Sequence, residues 1–160
     1  MVNVLWVLDA FYHYLPAYFA NATPVVINGG GPIDFGAKWF DGKPFLGEHK
    51  TIIGTASGII AGIIIGLIQQ RFLNGVLLSV GAIMGDMVTS FIKRRVELEP
   101  GASMPVGDQL GFIILAIFLG YLIPPDPSIE QSIFILVATL PIHYLVNIIA
   151  YLSKMKDTPW

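Results

Sequence analysis

The sequence predicts an all-α, polytopic integral membrane protein with five transmembrane helices and two long loops on one side of the bilayer. Three observations carry this. Hydrophobic residues make up 54% of the chain and charged residues only 12%, far more apolar than a soluble domain of 160 residues. Five apolar segments are each long enough, at roughly 17–25 residues, to cross the hydrocarbon layer as a helix. Eight of the nine Lys and Arg residues fall on one side of the resulting topology. The length suits one membrane-embedded domain over 1–160. With no cysteine in the chain, disulfides and thiolate metal sites are excluded.

The first segment, 3–20, lacks a basic leader and a small-residue cleavage site, so a retained span is expected rather than a removable signal peptide. It carries Asp9 and His13 one helical turn apart. Residues 21–51 then form a long polar loop rich in Gly and Pro. The second span, 52–68, has Gly54, Gly58, Gly62 and Gly66, a smooth stripe down one face that lets a neighbouring helix approach closely. A short turn, 69–71, leads to the third span, 72–92, where Gly81 and Gly85 repeat the pattern. Packing of the second span on the third is expected. The second long loop covers 93–105, the fourth span 106–123, and the fifth, after the turn 124–127, covers 129–152. His143 and Asn147 share a face of that last helix, and with Asp9 and His13 they are read as interhelical hydrogen-bonding pairs. Trp6, Tyr12, Tyr14, Tyr18, Tyr121, Tyr144 and Tyr151 are read as interfacial or lipid-facing aromatics.

Lys38, Lys43 and Lys50 lie in the first loop, Lys93, Arg94 and Arg95 in the second, and Lys154 and Lys156 at the C-terminus; Arg71 is alone on the other side. The positive-inside rule then puts the N-terminus outside and the C-terminus and both long loops in the cytoplasm. Nucleotides are accessible on that side.

Chemistry concentrates in GDMVTSFIKRR, Gly85 to Arg95. On a helix Asp86, Ser90 and Lys93 share one face, with Thr89 and Arg94 beside it. A charge inside a membrane helix costs roughly 2.5–3.5 kcal/mol on insertion scales and therefore faces a partner or a polar cavity. Asp86 is read as a ligand for a hard cation, Mg²⁺, with Lys93 and Arg94 receiving phosphate oxygens. Asp108 begins the fourth span at the same depth and is the second metal-ligand candidate. Arg95 points off this face, as an anchor for the helix end. The run INGGGPIDFGAKWFDGKPFLGEHKT offers a nucleotide cradle: Asn28, Gly29, Gly30 and Pro32 for close backbone approach, Lys43 and Lys50 for phosphate. It is neither a P-loop nor a Rossmann turn.

These motifs resemble a known family. The GD…S-x-x-K-R run, with Gly85, Asp86, Ser90, Lys93 and Arg94, and the K-T-x-x-G run of Lys50, Thr51 and Gly54 are similar to the core of the CTP-dependent phosphatidate cytidylyltransferases. The first loop, from Asn28 through Asp34 to Gly36 and from Asp41 to Lys43, and the second, Pro100-Gly101, Pro105 and Asp108-Gln109, resemble the archaeal branch, the CDP-archaeol synthases. The K-D, H-G-G and D-R elements of the larger bacterial-type pattern are missing.

The resemblance implies transfer of CMP from CTP to the phosphate of an archaeal diether phosphatidic acid, with a groove between the glycine-striped second and third spans as the entry for its tails. Asp86, Lys93, Arg94 and Asp108 would be the catalytic residues, with Mg²⁺ on Asp86 and Asp108. Asn28, Gly29, Gly30, Pro32, Asp34, Asp41, Lys43, Lys50, Thr51 and Ser90 would bind substrate. Membrane lipid is an expected partner, nucleic acid is not, and no oligomeric state is implied. The rival from another class is a small cation or proton transporter using Asp9, Asp86 and His143.

Overall fold

A computed structural model describes residues 3–99, 102–124 and 127–155. Pro100 and Gly101 of the second loop, Pro125 and Asp126 of the last turn, and Lys156 lie outside these. Five helices run in chain order: α1 (Val4–Val26), α2 (Ile52–Ile68), α3 (Phe72–Arg95), α4 (Gly107–Gly120) and α5 (Ile129–Leu152). Among the described residues there is no sheet, only isolated bridges joining Pro32 to Thr51 and Lys38 to Pro44. α3 and α5 are long and apolar enough to cross a membrane; α2 and α4 are shorter.

Helix ends differ from expectation in three places. α1 runs six residues past Ala20, through Asn21, Thr23 and Pro24. Thr23 returns its hydroxyl to the Phe19 carbonyl at 2.7 Å, so the polar stretch continues the helix. Pro16 and Pro24 stay inside α1, and each leaves the carbonyl four residues earlier without its helical donor. The Tyr12 carbonyl, opposite Pro16, accepts instead from Gln69 Nε2 in the α2–α3 turn. α3 extends through the whole basic block, placing Lys93, Arg94 and Arg95 in its last turn, where cations oppose the helix dipole. α4 is only 14 residues, about 21 Å long, against the 18 expected.

The four glycines of α2 are its buried residues. They face α1 and α3 together: a Cβ on Gly58 would meet the Ala20 carbonyl oxygen at 2.5 Å and Ile83 at 2.8 Å, and one on Gly66 would meet the Gly75 Cα at 2.5 Å. This overturns the expected tail groove, because backbones in contact leave no space between α2 and α3. Gly81 and Gly85 do not face α2 either; they pack on Ala116 and Gly111 of α4. Tyr14, Tyr18 and Tyr121 also depart from the lipid-facing reading. Tyr14 is fully buried, and its hydroxyl meets Ser132 at 2.9 Å, as does Tyr121 at 2.8 Å; Tyr18 meets Thr139 at 2.6 Å. These bonds, with Gln131 Nε2 donating to Asp9 at 2.9 Å, tie α5 to the bundle from inside. His143 and Asn147 meet each other within α5 at 3.1 Å.

The first loop folds onto the start of α2. Ile52 and Ile53 donate their N–H groups to the carbonyls of Gly31 and Gly29, while Thr51 Oγ1 accepts from Gly54 and Gly29 at 3.1 and 3.2 Å. Positive φ angles of 130°, 75° and 81° at Gly29, Gly30 and Gly31 turn the chain back so that these carbonyls reach the helix, a succession strongly disfavoured for residues with a Cβ. Thr51→Ala removes the cap and the loop tie together. It is expected to lower stability by about 1–2 kcal/mol, measured by SDS-titrated unfolding in mixed micelles.

Candidate active site

α3 and α4 cross with their backbones touching, which brings together the stretches that carry Asp86 and Asp108. Gly85 lies against Gly111 and Phe112, and Thr89 Oγ1 fills the space beside Gly111 while donating to the Gly85 carbonyl at 3.1 Å. Asp86 follows Gly85 on α3, and Asp108 stands one turn before Gly111 on α4. Nine residues separate Asp86 from Arg95 at the end of α3, roughly 13 Å along the axis. Asp86 is therefore recessed below the helix end, while Asp108 stands in the first turn of α4.

Each acid is held by one lysine. Lys50, the last loop residue before the Thr51 cap, donates to Asp86 Oδ2. Lys93 donates to Asp108 Oδ2 at 2.6 Å and to the Ala102 carbonyl at 2.8 Å. The Met104 N–H adds a bond of 2.9 Å to the same Asp108 oxygen. Val106 holds this turn at φ 67° and ψ −48°, allowing Gly107 N–H to reach the Pro105 carbonyl at 2.8 Å. The acid side chains are each about one-third exposed or less, open to a ligand yet shielded from bulk water. Ser90 and Arg94 are buried in the two turns of α3 that follow Asp86. Arg94 is 8% exposed, passes against Gly47 and gives one nitrogen to the Glu99 carbonyl at 3.3 Å. Its Nε has no hydrogen-bond partner among the described residues. A buried guanidinium donor left unmet is costly and marks a place for an acceptor.

The other predicted substrate residues divide. Asp34 holds the loop together, accepting from Gly36 N–H at 3.0 Å with Oδ1 and from Leu46 and Gly47 N–H at 2.8 and 3.3 Å with Oδ2. Gly29, Gly30, Pro32 and Thr51 surround the start of α2, and Asn28 Nδ2 donates weakly to the Pro24 carbonyl at 3.4 Å. Asp41 and Lys43 are not brought to the acids. Asp41 pairs with Arg95 Nε at 3.1 Å, while Lys43 pairs with Glu97 at 2.8 Å and caps the Arg95 carbonyl at 3.1 Å. The Lys43 hydrogen bond holds the Glu97 carboxyl below its ordinary range. Arg95 is thus more than a membrane anchor: it also bonds the Pro44 carbonyl and stacks over Phe91 at 4.3 Å. The basic block of KRRVELE followed by two acids, opposite the acid and base of D-G-K, is the available signal for this second cluster.

The acid pair suits a hard divalent cation. Mg²⁺ is commonly bound through one or two carboxylates, with substrate phosphates and water completing its shell. Among the described residues no group of three or more His, Asp or Glu gathers at one place, so Asp86 and Asp108 with ligand oxygens are the donor set available.

Residues 1–75 and 70–160 match the family described as CarS-like, CDP-archaeol synthase. The chain belongs to the CDP-archaeol synthase family. The CDP-archaeol synthase of Pyrococcus abyssi is 43% identical, with 96% of this chain and 98% of that one aligned. That of Methanococcus aeolicus is 40% identical over the full length of both. A solved structure described as an intramembrane enzyme for archaeal membrane lipid biosynthesis superposes with a TM-score of 0.78 at 35% identity, covering 89% of this chain and 94% of that one. The expectations of an all-α membrane fold and of a CTP-dependent nucleotidyltransferase of archaeal lipid synthesis are borne out. CDP-archaeol synthase membership removes the transporter reading. Its polar groups are also dispersed, with Asp9 bonded to Gln131 near the N-terminal ends of α1 and α5, the end of the bundle opposite Asp86.

Proposed function

We propose that this CDP-archaeol synthase transfers CMP from CTP to 2,3-di-O-geranylgeranyl-glycerol phosphate, giving CDP-archaeol and pyrophosphate. The observation that carries the reading is the two ion pairs Lys50–Asp86 and Lys93–Asp108, with the unmet Nε of the buried Arg94 on the same helix as Asp86 and Lys93. Three cations and two acids gathered where the first loop, α3 and α4 meet suit a nucleoside triphosphate and a lipid phosphate meeting at the membrane surface. The bias of positive charge toward both long loops and the C-terminus supports a cytoplasmic site.

A phosphate oxygen of the lipid attacks the α-phosphorus of CTP in line. The bond from that phosphorus to the bridging oxygen of the β-phosphate breaks, and pyrophosphate leaves with the electron pair. The nucleophile is already anionic, so no side chain needs to become covalent. Lys50, Lys93 and Arg94 would exchange their present partners for phosphate oxygens and stabilise charge that moves toward pyrophosphate. Ser90 offers a hydroxyl to the same face. Asp86 and Asp108 would hold Mg²⁺, which when bound supplies Lewis-acid neutralisation of the phosphate charge. Asn28, Gly29, Gly30 and Pro32 would border the nucleotide from the start of α2. Thr51 and Asp34 would act by fixing the loop that carries Lys50, and Asp41 and Lys43 by clamping its hairpin to α3.

Purified protein given labelled CTP, Mg²⁺ and the diether phosphate should release pyrophosphate and form a CDP-lipid in equal amounts. Chelation with EDTA should stop both products and added Mg²⁺ should restore them. Absence of product with every phosphatidic acid offered overturns the assignment.

A further inference from the structure

We propose that the hairpin over 37–45 is an interfacial foot, whose Trp39 and Phe40 side chains lie in the headgroup layer of the bilayer alongside α3. The hairpin is closed by Trp39 N–H to the Lys43 carbonyl at 2.9 Å and Phe45 N–H to the Ala37 carbonyl at 2.8 Å. It presents Phe40 94% exposed and Trp39 42% exposed. Aromatic side chains standing this far out of a loop are costly in water and characteristic of the membrane boundary.

Its position decides the partner. Trp39 and Phe45 pack on Phe91 with ring centroids 5.3 and 5.4 Å apart, and Arg95 covers the same ring. Phe91 and Arg95 lie in the last two turns of a membrane-length helix, where the apolar layer ends. At 100° per residue they fall about 140° and 180° around α3 from Asp86. The hairpin therefore stands on the far side of α3 from the acids, away from any ligand they hold. Directly below it on the same side, Met84, Val88 and Ile92 form an exposed apolar strip spaced four residues apart, the lipid-facing surface of α3. The aromatic tip continues that strip outward. Lys38, Asp41 and Lys43 on the same hairpin supply the polar complement that an element lying in the interface requires.

The chain has no native cysteine, so single-cysteine spin labels test this directly. Phe40→Cys and Glu48→Cys each replace an exposed side chain of the same loop. In vesicles of diether phosphatidylglycerol, oxygen and nickel-chelate collision rates should place the label at position 40 about 5–10 Å below the phosphate level, with the label at 48 in water. Equal aqueous accessibility at the two positions overturns the proposal. A second measurement leaves the hairpin unaltered: in the Trp6→Phe/Trp160→Phe double variant, Trp39 is the sole tryptophan. Lipids brominated near the headgroup should quench it at least twofold; quenching only by aqueous iodide would show a water-facing loop and reject the foot.

Discussion

Asp86→Asn is expected to lower turnover by about a hundredfold to a thousandfold while the protein remains folded. The substitution keeps the volume of the side chain and one oxygen, and removes the charge. Structurally the loss is modest, because the Lys50–Asp86 pair is partly exposed at both ends and pairs of this kind contribute on the order of 1 kcal/mol or less. Chemically the loss is large if the carboxylate acts on the ligand. The two roles separate in the Mg²⁺ dependence of the variant. Were Asp86 present only to neutralise Lys50, Asp86→Asn would lower the rate without changing the Mg²⁺ concentration that gives half-maximal activity. A ligand-directed Asp86 raises that concentration in Asp86→Asn. Single-turnover formation of CDP-lipid, with SDS-titrated unfolding as the fold control, reads both effects. Activity within threefold of the parent in Asp86→Asn removes it from the site.

Helical spacing made half of this site legible. Asp86, Ser90 and Lys93 recur at intervals that hold them to one face whatever the helix packs against, and the structure keeps them there. Spacing gives an angle around a helix and says nothing about which neighbour occupies it. Lys50, 36 residues before Asp86, reaches it only because the loop folds back over the start of α2. Asp41 and Lys43, in the same loop, end on the opposite side of α3 for the same reason. Gly81 and Gly85 show the limit in apolar terms: a stripe of small residues predicts a close neighbour, and either α2 or α4 would satisfy it. Asn21, Thr23 and Pro24 have loop character, yet α1 continues through them: Thr23 bonds the Phe19 carbonyl and Pro24 packs on Gly54 and Gly58 of α2. The tyrosines were misplaced by a related ambiguity. A phenol suits an interface or a buried hydroxyl partner equally well, and Ser132 and Thr139 lie more than a hundred residues from Tyr14 and Tyr18.

Gly85→Val should be the most disruptive substitution of an uncharged residue near the acids, costing about 3 kcal/mol or more. A Cβ at Gly85 would overlap the Gly111 carbonyl oxygen and stand 2.8 Å from the Gly111 carbonyl carbon and 2.9 Å from Phe112 Cα. All three are backbone atoms, so no side-chain rotation relieves the contact and α4 must move. That movement also displaces Asp108, one turn away, from Asp86, the next residue on α3. A misplacement of about 1 Å costs on the order of a hundredfold in rate, so activity should fall further than the folded fraction does. Gly75→Val provides the comparison. Its Cβ would meet Gly66 Cα at 2.7 Å, a backbone clash of similar severity between α3 and α2 at the far end of the bundle. Both variants should lose stability in SDS-titrated unfolding, but only Gly85→Val should lose specific activity per folded molecule. Equal specific activities would mean that the α3–α4 contact supports the fold without setting the distance between the two acids.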